Sequence, residues 1–205
     1  MPALVQELNL AAEAERRRRI EFYNEIDEDS KAEFINGEVV HHSPAKAMHN
    51  RVVARLLMLL RAHVQLGKCG EVFAEKALIA LTRNDYEPDI VFFGPTKAAT
   101  IGGGMMRHPA PDLVVEVLSD STAQNDRGIK FRDYEAHGVS EYWIIDPDRE
   151  IFERFVLREG CYVGGALSAD ATVESAAIAG FSLRAAAAFR DEIASEELRR
   201  LVSGS

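Results

Sequence analysis

The apolar positions of the chain repeat with two different periods. Across residues 50–67, Val52, Val53, Leu56, Leu57, Leu60 and Val64 recur at spacings of three and four, with Arg51, Arg55 and Arg61 off that stripe. This predicts an amphipathic helix with one buried face, ended by Gly67 and Gly70. Elsewhere the period is that of strands. Glu33-Phe34-Ile35-Asn36-Gly37-Glu38-Val39-Val40 alternates apolar residues around an Asn-Gly pair, which predicts a tight hairpin whose pairing stops at Ser43-Pro44. β-rich runs follow over residues 71–81, 89–93 and 112–118, and Tyr142-Trp143-Ile144-Ile145 marks another over 141–146, turned back by Pro147-Asp148. A helix is predicted over residues 122–137 with its stop at Gly138. A meander is expected over 150–157 and 161–163, and an alanine-rich closing helix over 183–201. This order of helices and strands predicts an α/β (α+β) fold with a mixed central sheet flanked by helices.

Residues 8–23 mix Ala, Glu and Arg with few apolar anchors, so residues 1–24 are read as a helical arm preceding one domain over 25–205. The run Arg16 to Arg19 has two readings, a phosphate-contacting patch or a charged helix face paired with Glu13, Glu15 and Glu21, and the second is the simpler. The 205 residues suffice for one compact domain with a sizeable core. A net charge of −9 excludes a charge-driven coat on nucleic acid, so any such contact needs a local basic patch or a bound cation. Cys69 and Cys161 form no metal or disulfide pattern, which suits a reducing cytoplasm. No apolar run is long enough for a bilayer, and no membrane partner is expected.

Two carboxylates interrupt apolar strands. Asp89 follows Pro88 at the start of one, and Glu116 lies within Asp112-Leu113-Val114-Val115-Glu116-Val117-Leu118, where alternation puts Leu113, Val115 and Val117 on one face and Val114, Glu116 and Leu118 on the other. Burying a carboxylate among Val and Leu demands a cation, a metal or several hydrogen bonds. Two of them on neighbouring strands would suit Mg²⁺. Taken singly, Asp89 is better explained as a turn cap, and Glu116 could simply face solvent on an edge. Lys130 stands on the helix after the Glu116 strand, where it could reach back over the strand's end; taken alone, an i,i+4 pair with Asp126 on the surface is the better explanation. Gly102-Gly103-Gly104 lacks the Gly-Lys-Ser/Thr of a phosphate loop and is read as a connection.

Together, Glu33 to Glu38, Pro88-Asp89-Ile90-Val91-Phe92, Pro111 to Ser119, the later Asp126, Lys130 and Tyr134, and Gly138 to Pro147 resemble the Uma2 family of the PD-(D/E)-x-K nuclease superfamily. The resemblance implies a restriction-endonuclease-like core, with Asp89 and Glu116 as metal-binding carboxylates and Glu33 as an accessory acid. The superfamily lysine two residues after the acid is here replaced by Leu118, and in Uma2-like sequences the lysine comes from the following helix, which maps to Lys130. Glu75 and His49 are weaker candidates, and the arginine-rich arm does not resemble the family's usual start.

The expectation is therefore a Mg²⁺-dependent endonuclease, with Mn²⁺ as a substitute, acting on nucleic acid and foremost on DNA. Asp89, Glu116 and the backbone carbonyl of Val117 would hold the ion, and Lys130 would orient water or offset charge on the phosphorane. A homodimer is expected from the fold class. The opposing reading is a non-catalytic DNA-binding or protein-interaction module on the same fold.

Overall fold

The structure, a computed structural model, describes residues 2–27 and 31–204. The hairpin forms as its sequence predicts. Strands β1 (Ala32–Ile35) and β2 (Glu38–His41) are joined by Asn36 and Gly37 at φ 52° and 87°, the pair of left-handed residues a two-residue turn needs. Helix α2 (Ala47–Gly67) buries Val52, Val53, Leu56, Leu59, Leu60 and Val64 and leaves Leu57 half-buried. No side chain caps its N-terminus, so the helix is held by packing; each aliphatic side chain fully removed from water is worth about 1.5–3 kcal/mol. Gly70 then passes against the next strands so closely that a Cβ there would lie 2.2 Å from the Phe93 carbonyl oxygen.

Six strands form the central sheet, in the order β11-β10-β9-β8-β6-β3. They are β3 (Glu71–Ala74), β6 (Ile90–Phe93), β8 (Leu113–Val117), β9 (Glu141–Asp146), β10 (Ile151–Arg158) and β11 (Cys161–Leu167). Only β8 and β9 run parallel, so the sheet is mixed, and their crossover carries the predicted helix. After the short helix α3 (Pro95–Ala98) that follows β6, that crossover helix runs as α4 (Ala123–Asn125), a π-helical turn at Asp126–Lys130 and α5 (Phe131–Ala136). A second sheet, β2-β1-β5-β4-β7, adds β4 (Leu78–Ala80), β5 (Asp85–Tyr86) and β7 (Arg107–His108). The central sheet is covered on both faces. Ile90, Phe92, Leu113, Val115, Val117, Trp143 and Ile145 pack with the α2 stripe, while Val91, Phe93, Val114, Leu118, Tyr142 and Ile144 pack with Ile35, Ile79, Leu81, Tyr86 and Tyr134. All five residues of β8 are buried, so Glu116 has no solvent-facing edge to occupy.

The closing segment differs from its prediction. Residues 183–201 are not one helix: β13 (Ser182–Arg184) pairs with β12 (Thr172–Glu174), a 3₁₀ turn takes Ala185–Ala188, and α6 (Asp191–Ser203) begins after an extended Arg190. The four alanines are buried, their small size letting backbone pack where a helix former would otherwise be read.

Helix α1 (Pro2–Glu25) is mostly exposed but docks near its C-terminal end. Arg19 makes two bonds to the fully buried Asp85, at 2.6 and 2.7 Å, and reaches the carbonyls of Leu81 and Thr82. Arg18 donates to the Gly37 carbonyl, Tyr23 donates to Asp85, and Phe22 stacks on Phe34. Two of the four arginines are thus docking anchors, a role neither reading of the run contained. No helix among the described residues is long and apolar enough to cross a membrane.

Candidate active site

Asp89 and Glu116 come together by strand register. The pairs Ile90↔Val115, Val91↔Val114 and Phe92↔Leu113 continue by one step to Asp89 beside Glu116, so both carboxylates project from the same face at adjacent strand ends. Both line one cavity of about 570 Å³, with Lys31, His42, His49, Glu75, Val117 and Lys130. A larger cleft of about 810 Å³ lies beside Tyr23, Met105 and Arg107; of the site's acids only Glu87 borders it, so it is not where these carboxylates meet.

Around Asp89 the contacts are polar and directional. Its Oδ2 accepts the Val117 N–H at 2.7 Å, which fixes the carboxylate across the strand pair. Its Oδ1 lies 3.2 Å from Lys31 Nζ and 3.3 Å from His49 Nε2. Glu75 takes Lys31 Nζ at 3.0 Å and holds a left-handed backbone, φ 71°, with its N–H donated to the Asp89 carbonyl. One ligand atom each from His49, Glu75 and Asp89 lie within 4.8 Å of one another, a group that could hold a metal ion. Burial favours the protonated Asp89, yet the His49 bond, Lys31 and the Val117 N–H outweigh it and hold its pKa down at about 2. His49 and Lys31 are both held more basic than usual, because Asp89 and Glu75 outweigh their desolvation.

A second cluster lies behind the first. Lys130 is fully buried, 1% exposed, with its Nζ 2.8 Å from Glu33 Oε1, 3.0 Å from Glu116 Oε1 and 3.1 Å from Asp126 Oδ1. It therefore meets both Glu116 and Asp126, and the solvated-surface explanation fails. Asp126 and Lys130, four residues apart on the π-helical turn, lie side by side and meet Glu116 of the sheet through Lys130. Tyr134 donates to Glu116 at 3.2 Å, and Glu33 also accepts the Glu87 N–H and faces His42. Burial drives Glu116 well above the carboxylate range, helped by Asp126, Asp89 and Glu33 and opposed by Lys130. Glu33 goes the other way, to about 2, because Lys130 and His42 overcome its burial. Glu87, buried with the Ala32 N–H as its bond partner, is pushed up to about 7 by desolvation.

The residues present fit a divalent cation. One ammonium, Lys130, faces three buried acids, and burial raises the Glu116 carboxyl well above the usual carboxylate range in spite of it. On the outer side, Lys31 already draws Glu75 and Asp89 around a cation, and the buried His49 Nδ1 has no partner among the described residues. Carboxylate oxygens suit Mg²⁺ or Mn²⁺, and an imidazole widens the choice toward softer ions.

Asp89, Glu116, Glu33 and Lys130 thus line or adjoin one cavity, and Val117 contributes its N–H to Asp89. Lys31 escaped sequence reasoning, and His49 and Glu75 were only weakly marked. Their contacts span 44 and 58 residues for Lys31, and Glu75 depends on a left-handed backbone that no glycine or asparagine announces.

Comparison with known proteins agrees with this architecture. The chain shares 32% identity over 119 residues with the uncharacterised protein sll1609 of Synechocystis sp. (strain ATCC 27184 / PCC 6803 / Kazusa); the match covers 57% of this chain and 66% of that protein, just under two thirds of its length. The crystal structure of a putative nuclease belonging to DUF820 from Anabaena variabilis ATCC 29413 superposes with a TM-score of 0.70 at 18% identity, over 86% of this chain and 96% of that one, which shows a shared fold. The sequence model of Uma2, described as a putative restriction endonuclease, matches residues 18–186. With the family's model spanning the hairpin, both carboxylate strands and the Lys130 helix, this chain belongs to the Uma2 family.

Proposed function

We propose that this chain is a divalent-cation-dependent nuclease that hydrolyses phosphodiester bonds, with DNA as its substrate. The observation that carries the reading is the meeting of Asp89 and Glu116 from adjacent strands in one cavity, with Lys130 against Glu116. Asp89 and Glu116, with the Val117 carbonyl, would hold Mg²⁺ or Mn²⁺, and Glu75 and His49 stand ready on the outer side of Asp89. When bound, such an ion polarises a phosphate oxygen and lowers the pKa of bound water.

The chain's own residues supply the rest. The Val117 N–H fixes which oxygen of Asp89 faces the cavity. Lys130, ringed by Glu33, Glu116 and Asp126, acts as a positioning residue that holds Glu116 in place; serving the phosphate directly would require leaving three carboxylates. Glu33 in turn orients Lys130. At the mouth, the hydroxyls of Ser119, Ser121 and Thr122 and the Lys46 ammonium, which Asp120 and Asp148 hold at 2.9 and 3.5 Å, are the groups a backbone phosphate would meet.

The test is cleavage of supercoiled plasmid and of single-stranded oligonucleotides by wild type, Asp89→Asn and Glu116→Gln, with Mg²⁺, Mn²⁺ or EDTA. The reading expects chelator-sensitive cleavage that falls by about 10²-fold or more in each variant. Equal cleavage by all three proteins would overturn it.

A further inference from the structure

Lys31 stands immediately before β1, and its backbone is anchored there, its carbonyl accepting the His42 N–H at 3.1 Å. Its ammonium lies 3.0 Å from Glu75 Oε2 and 3.2 Å from Asp89 Oδ1, between two of the three side chains that cluster within 4.8 Å. An ammonium and a divalent ion seek the same carboxylate oxygens, and the two cannot share them at contact distance without strong repulsion. The two lysines of the cavity differ here. The Lys130 side chain is 2% exposed and surrounded by acids, whereas the Lys31 side chain is 21% exposed and can swing toward the cavity mouth on its four-carbon stem.

We propose that Lys31 is a tethered cation that occupies the outer part of the metal position, holding Glu75 and Asp89 together until a divalent ion displaces its ammonium. The inference rests on the metal-centre reading above and adds a competitor built into the chain. It also implies that metal affinity is set partly by the work of moving Lys31 aside.

The experiment is titration of the full chain with Mn²⁺, followed by the electron paramagnetic resonance of free Mn²⁺, for wild type, Lys31→Gln, Lys31→Arg and Asp89→Asn. Lys31→Gln is expected to bind Mn²⁺ at least about tenfold more tightly than wild type, since a repelling charge is gone. It is also expected to gain more in Tm on adding Mn²⁺. Lys31→Arg keeps the charge and is expected to stay within about threefold of wild type. Binding that is lost in Asp89→Asn but unchanged or weakened in Lys31→Gln would overturn the competitor while leaving the metal centre standing. Binding that Asp89→Asn does not affect, or its absence in every variant, would overturn the metal centre and the competitor together.

Discussion

Lys130 changes character between sequence and structure. As a residue in Asp126-Arg127-Gly128-Ile129-Lys130 it reads as partly exposed, and its removal would then alter stability by no more than about 0.5 kcal/mol. Buried among Glu33, Glu116 and Asp126, it is instead the cation that makes three buried acids tolerable. Lys130→Met is accordingly expected to destabilise the fold by about 3–5 kcal/mol in urea unfolding, against almost nothing for Arg17→Ala on the exposed face of α1. Adding Glu33→Gln to Lys130→Met should restore part of the loss, a non-additivity that marks a shared network. His108 provides a pH signal away from this cluster. Buried between Phe73 and Phe93 with no partner for Nδ1 among the described residues, it is held below its ordinary pKa by desolvation. A depressed histidine contributes stability that is fully present above the unfolded value of about 6.5 and is lost as pH falls through the folded value. Melts from pH 7.5 to 5 should therefore show a loss for wild type that is shallower in His108→Leu. Asp89 and Glu116 were legible because a carboxylate amid Val, Ile and Leu is costly wherever it lies. Lys31 was not, because nothing near residue 31 in the chain records the contacts that give it a partner.

At the level of elements, strong periodicity was readable and short pieces were not. The α2 stripe, the Asn36-Gly37 hairpin and β9 stand where their patterns put them, each long enough or specific enough for local chemistry to decide. The two-residue strands β5 and β7 are made by pairing alone, so the joining of the hairpin to β4 in a second sheet was not legible before the fold. The alanines at 185–188 misled because helix propensity was outweighed by packing against α2. Helix α1 shows the same priority of tertiary contacts: its arginines matter through Asp85, 66 residues away, rather than through neighbours on the helix. Arg19→Ala leaves Asp85 buried with Tyr23 as its remaining side-chain partner and is expected to cost about 3 kcal/mol. It should also free α1 to limited proteolysis. Equal proteolytic resistance of Arg19→Ala and wild type would show that Arg18, Phe22 and Tyr23 hold the helix without Arg19.

Across the whole molecule, a sheet covered on both faces delivers the ends of β6 and β8, Asp89 among their flanking residues, to one cavity where acids outnumber cations. That imbalance, inside a chain of charge −9, is the physical ground of the proposal that a divalent ion binds here and that nucleic acid would make contact only at the cavity mouth. The most direct measurement is an anomalous difference map from crystals soaked in Mn²⁺. The account predicts a peak bound by the Asp89 carboxylate on the Glu116 side of the cavity, with Lys130 still against Glu116. A map with no peak at Asp89, or with Mn²⁺ bound only at surface acids, would contradict it.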